Sequence, residues 1–98
     1  MTESRYYDRA GVPIDMKRWG QLQRDVAYCR VDLDEIGGAS VSTVWLGLNH
    51  EYGDGPPLIF ETMIFGGPHD EAQWRHSTEE EARAGHQRAV AIARSSFT

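Results

Sequence analysis

The feature that most constrains the fold is a pair of β-like stretches that meet at two glycines. In residues 29–33 every second residue is apolar, which predicts a strand with one buried and one solvated face. Residues 41–48 are rich in β-branched and aromatic side chains, which favour strands. Two-residue hairpin turns of the primed types need positive φ, which glycine adopts freely. Gly37 and Gly38 therefore predict an antiparallel hairpin between the two stretches.

A third strand is predicted over residues 58–65, ahead of the turn formed by residues 66–68. Both faces of this stretch are mostly apolar, which indicates a strand covered on each side or one face held for a partner. Residues 49–57 contain two glycines, two prolines, Asn49 and Asp54, and so predict a loop.

Helices are predicted on both sides of these strands. Asp15 has the chemistry of an N-cap for a short helix over residues 16–24, with Met16, Trp19 and Leu22 on one face. A longer helix over residues 78–94 is predicted by a capping box formed by Ser77 and Glu80. Its buried face is predicted to consist of small and apolar residues at helical spacing together with one histidine: Ala82, Gly85, His86, Ala89, Val90 and Ala93.

The opening residues predict a tight turn or a miniature hairpin over residues 6–14. Asp8 can accept hydrogen bonds from backbone amides just after it, and Gly11 can adopt positive φ. Pro13 lacks an amide hydrogen, which excludes a central strand here.

These elements predict an α+β fold. It is a three-stranded antiparallel meander, with the N-terminal hairpin as a candidate extension, and a short N-terminal and a longer C-terminal helix packed on one face. We expect a single domain over residues 1–98, because a chain of this length divided in two would leave both cores too small.

Charge and cysteine content exclude several function classes. The net charge is −5, and residues 50–98 carry four Lys and Arg against eight Asp and Glu. Without a basic cluster we expect no binding to nucleic acid. No apolar run reaches the length of a membrane span, and no signal-peptide core opens the chain, so we expect a cytoplasmic protein. Cys29 is the only cysteine, which rules out an internal disulfide, and its alternating surroundings predict a small buried side chain.

Four histidines raise the question of a metal site. They stand at positions 50, 69, 76 and 86, and no two of them have the short spacing that structural or helix-borne zinc ligands require. No glycine-rich segment matches a phosphate-binding loop. We therefore expect neither a metal nor a cofactor.

An acid–base pair is one hypothesis for catalysis. His86 lies on the apolar face of the predicted C-terminal helix, and Glu61 interrupts an apolar strand, so the two could meet in the core. The competing interpretation is a structural histidine that is hydrogen-bonded in the core.

Exposed aromatic residues in loops indicate a contact surface. Tyr52 and Trp74 fall in loop-like segments, where amphipathic aromatic residues concentrate binding energy. Together with His50 and Asp54 they form the predicted partner-binding set, because loops held by a rigid scaffold carry binding residues.

Four strings of the sequence, YYDRAGVPI, VSTVWLGLNH, GPPLIFETMIFGG and STEEEARAGHQRAV, carry a resemblance to known proteins. They resemble a family of short, uncharacterised proteins encoded by tailed bacteriophages and prophages. The resemblance implies expression in the host cytoplasm but no activity, and tyrosine often replaces His76 in that family.

The leading hypothesis is thus a phage-encoded accessory protein that binds a host factor or defence protein. A small enzyme using His86 and Glu61, and a minor structural or assembly protein of the phage, are the alternatives. Self-association is left open.

Overall fold

The structure, a computed structural model, describes residues 5–50 and 53–95. Its six strands are β1 (Tyr6–Tyr7), β2 (Pro13–Ile14), β3 (Arg30–Ile36), β4 (Ala39–Trp45), β5 (Phe60–Phe65) and β6 (Gln73–His76). Its three helices are α1 (Met16–Gln23), α2 (Val26–Cys29) and α3 (Glu79–Ser95). No helix in this part of the chain is long and apolar enough to cross a bilayer.

The predicted α+β fold, with an antiparallel sheet and a C-terminal helix, is confirmed. Strands β3 to β6 form one antiparallel sheet in chain order, and α3 packs against one of its faces. The sheet has four strands rather than the three predicted. Strand β6 was missed because its four residues are mostly polar and exposed, and an edge strand of this kind is held by backbone pairing with β5.

The predicted hairpin between β3 and β4 is confirmed, with Ile36 opposite Ala39 and Gly37 at φ +59°. A β-bulge between Arg30 and Asp32 interrupts the alternation of β3. Since a bulge inserts one extra residue, the face that each later side chain occupies is reversed. Leu33, predicted to be buried, is therefore 40% exposed.

Cys29 was predicted to be a buried residue of a strand, and the structure differs on both points. It is the last residue of the short helix α2 and is only half-buried. Its Sγ lies 3.5 Å from the carbonyl oxygen of Leu22. Burial, with a smaller contribution from the charge of Asp25, raises the pKa of the thiol.

The N-terminal miniature hairpin is confirmed as the pair β1 and β2. The carboxylate of Asp8 accepts hydrogen bonds from the amides of Ala10 and Val12, both at 2.9 Å, and Gly11 has φ +83°. The hairpin forms a separate two-stranded sheet, but it is attached to the chain that follows β4, because the amide of Tyr7 donates to the carbonyl of Gly47.

Arg9 links this hairpin to α2 and α3 through polar contacts. Its guanidinium forms an ion pair with Glu79 at the start of α3, at 2.8 Å, and donates to the carbonyl of Tyr28 at 3.0 Å. The hydrogen bond from Arg9 is the main reason that the pKa of Glu79 is lowered.

Both predicted helices are present, with corrections at their caps and faces. Asp15 caps α1, as predicted, but Met16 is 64% exposed and contributes nothing to the core. The side chain that caps α3 is Thr78 rather than Ser77, because the amide of Glu81 donates to Thr78 Oγ1 at 3.1 Å, and the carboxylate of Glu81 accepts from the amide of Ser77 at 3.4 Å. The prediction was one residue early, since residues 77–80 and 78–81 both fit the capping-box pattern.

The core consists of two apolar clusters at opposite ends of the sheet face that α3 covers. One contains Ile36, Ala39, Val41, Ile64, Ala89, Val90 and Ala93. The other contains Leu22, Val31, Trp45, Ile59, Phe60 and Ala82. Buried polar side chains separate them.

Candidate functional site

Five side chains between the two apolar clusters are joined by hydrogen bonds. His86 Nε2 lies 2.7 Å from Asp34 Oδ2, and His86 Nδ1 lies 2.7 Å from Thr43 Oγ1. Thr43 Oγ1 lies 2.7 Å from Thr62 Oγ1, which lies 3.0 Å from His76 Nε2. We call these five residues the polar chain. It runs across the sheet from β3 to β6 beneath α3.

The sheet register places these residues side by side. Thr43 and Thr62 are direct partners on β4 and β5, and both point toward α3. Gly85 makes the close approach of α3 to β6 feasible, because a Cβ at this position would clash with the imidazole of His76. Within the small-residue face of α3, Gly85 thus provides the space for the His76 ring.

The direction of hydrogen donation along the polar chain follows from its Asp34 end. An ionised carboxylate only accepts, so His86 Nε2 donates to Asp34. When His86 is neutral, its Nδ1 accepts from Thr43, which in turn accepts from Thr62. The hydroxyl of Thr62 then accepts from His76 Nε2.

The middle of the polar chain is closed to substrates. Thr43, Thr62 and His86 are each 0% exposed. A hydroxyl beside an imidazole has the composition of a nucleophile and its base, but a nucleophile must reach its substrate. No buried side-chain nitrogen or oxygen among the described residues lacks a partner. The middle of the polar chain is therefore a satisfied structural network rather than a reaction centre.

The His76 end of the polar chain opens into a cavity of about 180 Å³, which we call the His76 cavity. Its lining consists of Trp74, His76, Gly85, Arg88, Ala89 and Ile92. Burial is the main cause that lowers the pKa of His76, and the charge of Arg88 lowers it further while Glu81 opposes the effect. A neutral imidazole is favoured here.

The other end of the polar chain reaches partly exposed carboxylates. Asp32 Oδ2 lies 3.7 Å from His86 Nε2, and Asp32, Asp34 and His86 hold ligand-type atoms within 4.8 Å of one another. Such atoms are typical ligands of divalent cations. The 2.7 Å hydrogen bond from His86 to Asp34 already accounts for the arrangement.

The predicted pairing of His86 with Glu61 is wrong. Glu61 points away from α3 and accepts a hydrogen bond from Arg75 on β6 at 3.3 Å. The acidic partner of His86 is Asp34, which the regular alternation of β3 had placed on the opposite face. The β-bulge that turns Asp34 inward has no clear sign in the sequence.

The predicted partner-binding residues do not form one surface in the described structure. His50 is half-buried and Asp54 is exposed, although both belong to the same predicted loop, while Tyr52 lies outside the described residues. Trp74 belongs to strand β6 rather than to a loop. It lines the His76 cavity, whereas Asp54 lines a different cavity beside Pro13.

The sheet face opposite α3 presents apolar side chains to solvent. Leu33, Ser42 and Met63 form one cross-strand row, and Val44 and Phe65 lie next to it on the same face. We call these five residues the uncovered face. Leu33 and Phe65 are 40% and 47% exposed, and neither belongs to a core cluster. Apolar exposure of this kind is characteristic of a contact surface.

The borders of the uncovered face are electrically balanced. Glu35 and Glu61 share it with Arg30 and Arg75. Arg75 is the direct cross-strand partner of Glu61, and Arg30 pairs with Val44, which is the other partner of Glu61. These four charges sum to zero, although the whole chain carries −5. The acidic excess therefore lies elsewhere on the molecule.

Comparison of the chain with protein-family models, with curated proteins and with solved structures finds no match.

Proposed function

We propose that this protein is a phage-encoded accessory protein that acts by binding another protein in the bacterial cytoplasm, with the uncovered face as its contact surface. The observation that carries the proposal is the solvent exposure of Leu33 and Phe65 on a sheet whose other face is covered by α3. The resemblance to phage-encoded proteins supplies the cellular setting.

The opposite face of the same sheet indicates what shape of partner would fit. There, the single amphipathic helix α3, of 17 residues, covers strands β3 to β5. The uncovered face has the same strands and a similar extent. We therefore propose that its occupant is one amphipathic helix of the partner, which would place apolar residues at helical spacing against Leu33, Met63 and Phe65.

A second copy of this chain is a poor source of that helix. Among the described residues, α1 already packs through Leu22 and hydrogen-bonds through Trp19, and the apolar side of α3 is buried. Helix α2 has only four residues. The balanced charge at the borders favours a partner helix without a strong excess of either charge.

Site-specific photo-crosslinking in bacterial lysate tests this proposal. A benzophenone amino acid at Leu33 is expected to cross-link a partner, whereas the same group at Gln87, which is exposed on the far side of α3, is expected to give no such product. Peptide mapping should place the cross-link in an amphipathic helix of the partner. Phe65→Glu should abolish the product while leaving the free energy of unfolding within about 1 kcal/mol of wild type.

Three results would overturn the proposal. They are equal cross-linking from positions 33 and 87, no cross-linked protein from position 33, or a product that contains only a second copy of this chain.

A further inference from the structure

We infer that the His76 cavity binds a small aromatic acid that also carries a hydroxyl group. This site is separate from the uncovered face, because the cavity lies between α3 and β6 on the other side of the sheet. The inference therefore stands apart from the proposed protein partner.

The first requirement on the ligand comes from His76. The residue is 7% exposed, and its Nε2 is occupied by Thr62. The ring lines the cavity, and its Nδ1 has no hydrogen-bond partner among the described residues but is accessible to solvent, since every fully buried side-chain nitrogen and oxygen there is paired. With His86 neutral, the polar chain makes Nε2 the donor, so Nδ1 presents a lone pair. A ligand that fills the cavity satisfies this atom by donating a hydrogen bond.

The second requirement comes from Arg88. Arg88 lines the same cavity at an exposed position, and no ion pair or hydrogen bond joins its side chain to another described residue. His76 and Arg88 line one cavity, and the charge of Arg88 is one of the causes that lower the pKa of His76. An unpaired cation at the mouth of a cavity selects an anionic group, and guanidinium matches a carboxylate in geometry.

The remaining walls are apolar, and the volume is small. Trp74 and Ile92 contribute a flat and a branched apolar surface, and Gly85 and Ala89 form the helix side. A cavity of about 150 Å³ lined by apolar side chains is known to hold benzene. A volume of about 180 Å³ therefore admits one substituted aromatic ring. The ring would rest against Trp74, with its hydroxyl toward His76 and its carboxylate toward Arg88.

The donor direction can be measured first, in the free protein. Nitrogen-15 spectra of the histidine side chains at about pH 8, above the ordinary histidine pKa of about 6.5, distinguish the two neutral tautomers. We expect both His76 and His86 to carry their proton on Nε2. Detection of the Nδ1-protonated form of His76 would overturn the inference, because that ring nitrogen would then be a donor.

Three related compounds then test the ligand class by NMR titration. 4-Hydroxybenzoate has both functional groups, benzoate lacks the hydroxyl, and 4-methylphenol lacks the carboxylate. We expect 4-hydroxybenzoate to shift signals of Trp74, His76 and Ile92. Benzoate should bind about 3- to 10-fold more weakly, which is the effect of one hydrogen bond.

Arginine variants supply the matched control for the carboxylate contact. Arg88→Gln should weaken the binding of 4-hydroxybenzoate about 3- to 10-fold and leave the binding of 4-methylphenol unchanged. Arg94→Gln, at an exposed position near the end of the same helix, should change the affinity for neither compound. The inference is overturned if benzoate and 4-hydroxybenzoate bind equally, if both arginine variants behave alike, or if millimolar 4-hydroxybenzoate leaves the cavity signals unmoved.

Discussion

Each face of the four-stranded sheet contains exceptions to the usual distribution of side chains, in which apolar groups are buried and polar groups exposed. The face beneath α3 buries two threonines and two histidines, whereas the opposite face exposes Leu33 and Phe65. Burial of polar groups is tolerated because each one has a hydrogen-bond partner in the polar chain. Exposure of the apolar groups has no such explanation within the described residues. On the inner face the polar groups are thus explained by the fold itself, whereas the exposure of Leu33 and Phe65 is what our proposal of a partner-binding surface is based on.

We expect the largest difference in stability between variants of Ile64 and Phe65, because these neighbours on β5 point to opposite faces of the sheet. Ile64 is 0% exposed, so Ile64→Ala should lower the free energy of unfolding by about 2–5 kcal/mol through lost burial and a residual cavity. Phe65→Ala should cost less than about 1 kcal/mol. Urea denaturation measures both. Equal losses would mean that the uncovered face is part of the folding core.

Removal of His86 should break the centre of the polar chain. His86→Ala leaves Asp34 and Thr43 without their shared partner and opens a cavity, and we expect a loss of about 3 kcal/mol. His69→Ala, at an exposed position, is the control and should change stability by less than about 0.5 kcal/mol. A loss below about 1 kcal/mol for His86→Ala would show that the polar chain contributes little to the fold.

A smaller effect is expected from a single hydroxyl. Thr43→Val preserves the side-chain shape but removes the link between His86 and Thr62, which should cost about 1–2 kcal/mol. Ser42→Ala makes a comparable deletion one residue away on the uncovered face, and should cost less than about 0.5 kcal/mol. If the two variants are equally stable, the hydrogen bonds of Thr43 have no net effect.

The smallest expected effect is the pH dependence caused by His76. Its pKa in the folded protein is lowered, chiefly by burial and then by Arg88, so the unfolded chain takes up the proton first. Its contribution to stability is complete above the ordinary histidine pKa of about 6.5 and declines as pH falls below that value. Denaturation curves between about pH 7.5 and 5.5 should show this decline.

The contribution of His76 can be separated from those of the other histidines. His76→Gln should flatten the decline, whereas His69→Gln at an exposed site should leave it unchanged. A steeper decline in His76→Gln would contradict the direction of the shift.

The sequence by itself determined the elements whose signals are local. The turn at Gly37 and Gly38, the Asp8 turn with Gly11, and the Asp15 cap each depend on residues within a few positions of one another. Side-chain chemistry and allowed φ decide such features before any tertiary contact forms. The same holds for the helical spacing of the buried residues of α3.

Only the tertiary structure decided which side chains meet in the core. Asp34 and His86 are 52 residues apart, and Asp34 faces inward because of a bulge that shifts the phase of β3 by one residue. Strand β6 forms because β5 offers it a pairing edge, and this brings His76 to Thr62. Periodicity in the sequence gives the spacing of apolar residues along a strand or helix. It does not give which face of that element points to the core, nor which other element packs beside it. The polar chain therefore appears only when the sheet is assembled.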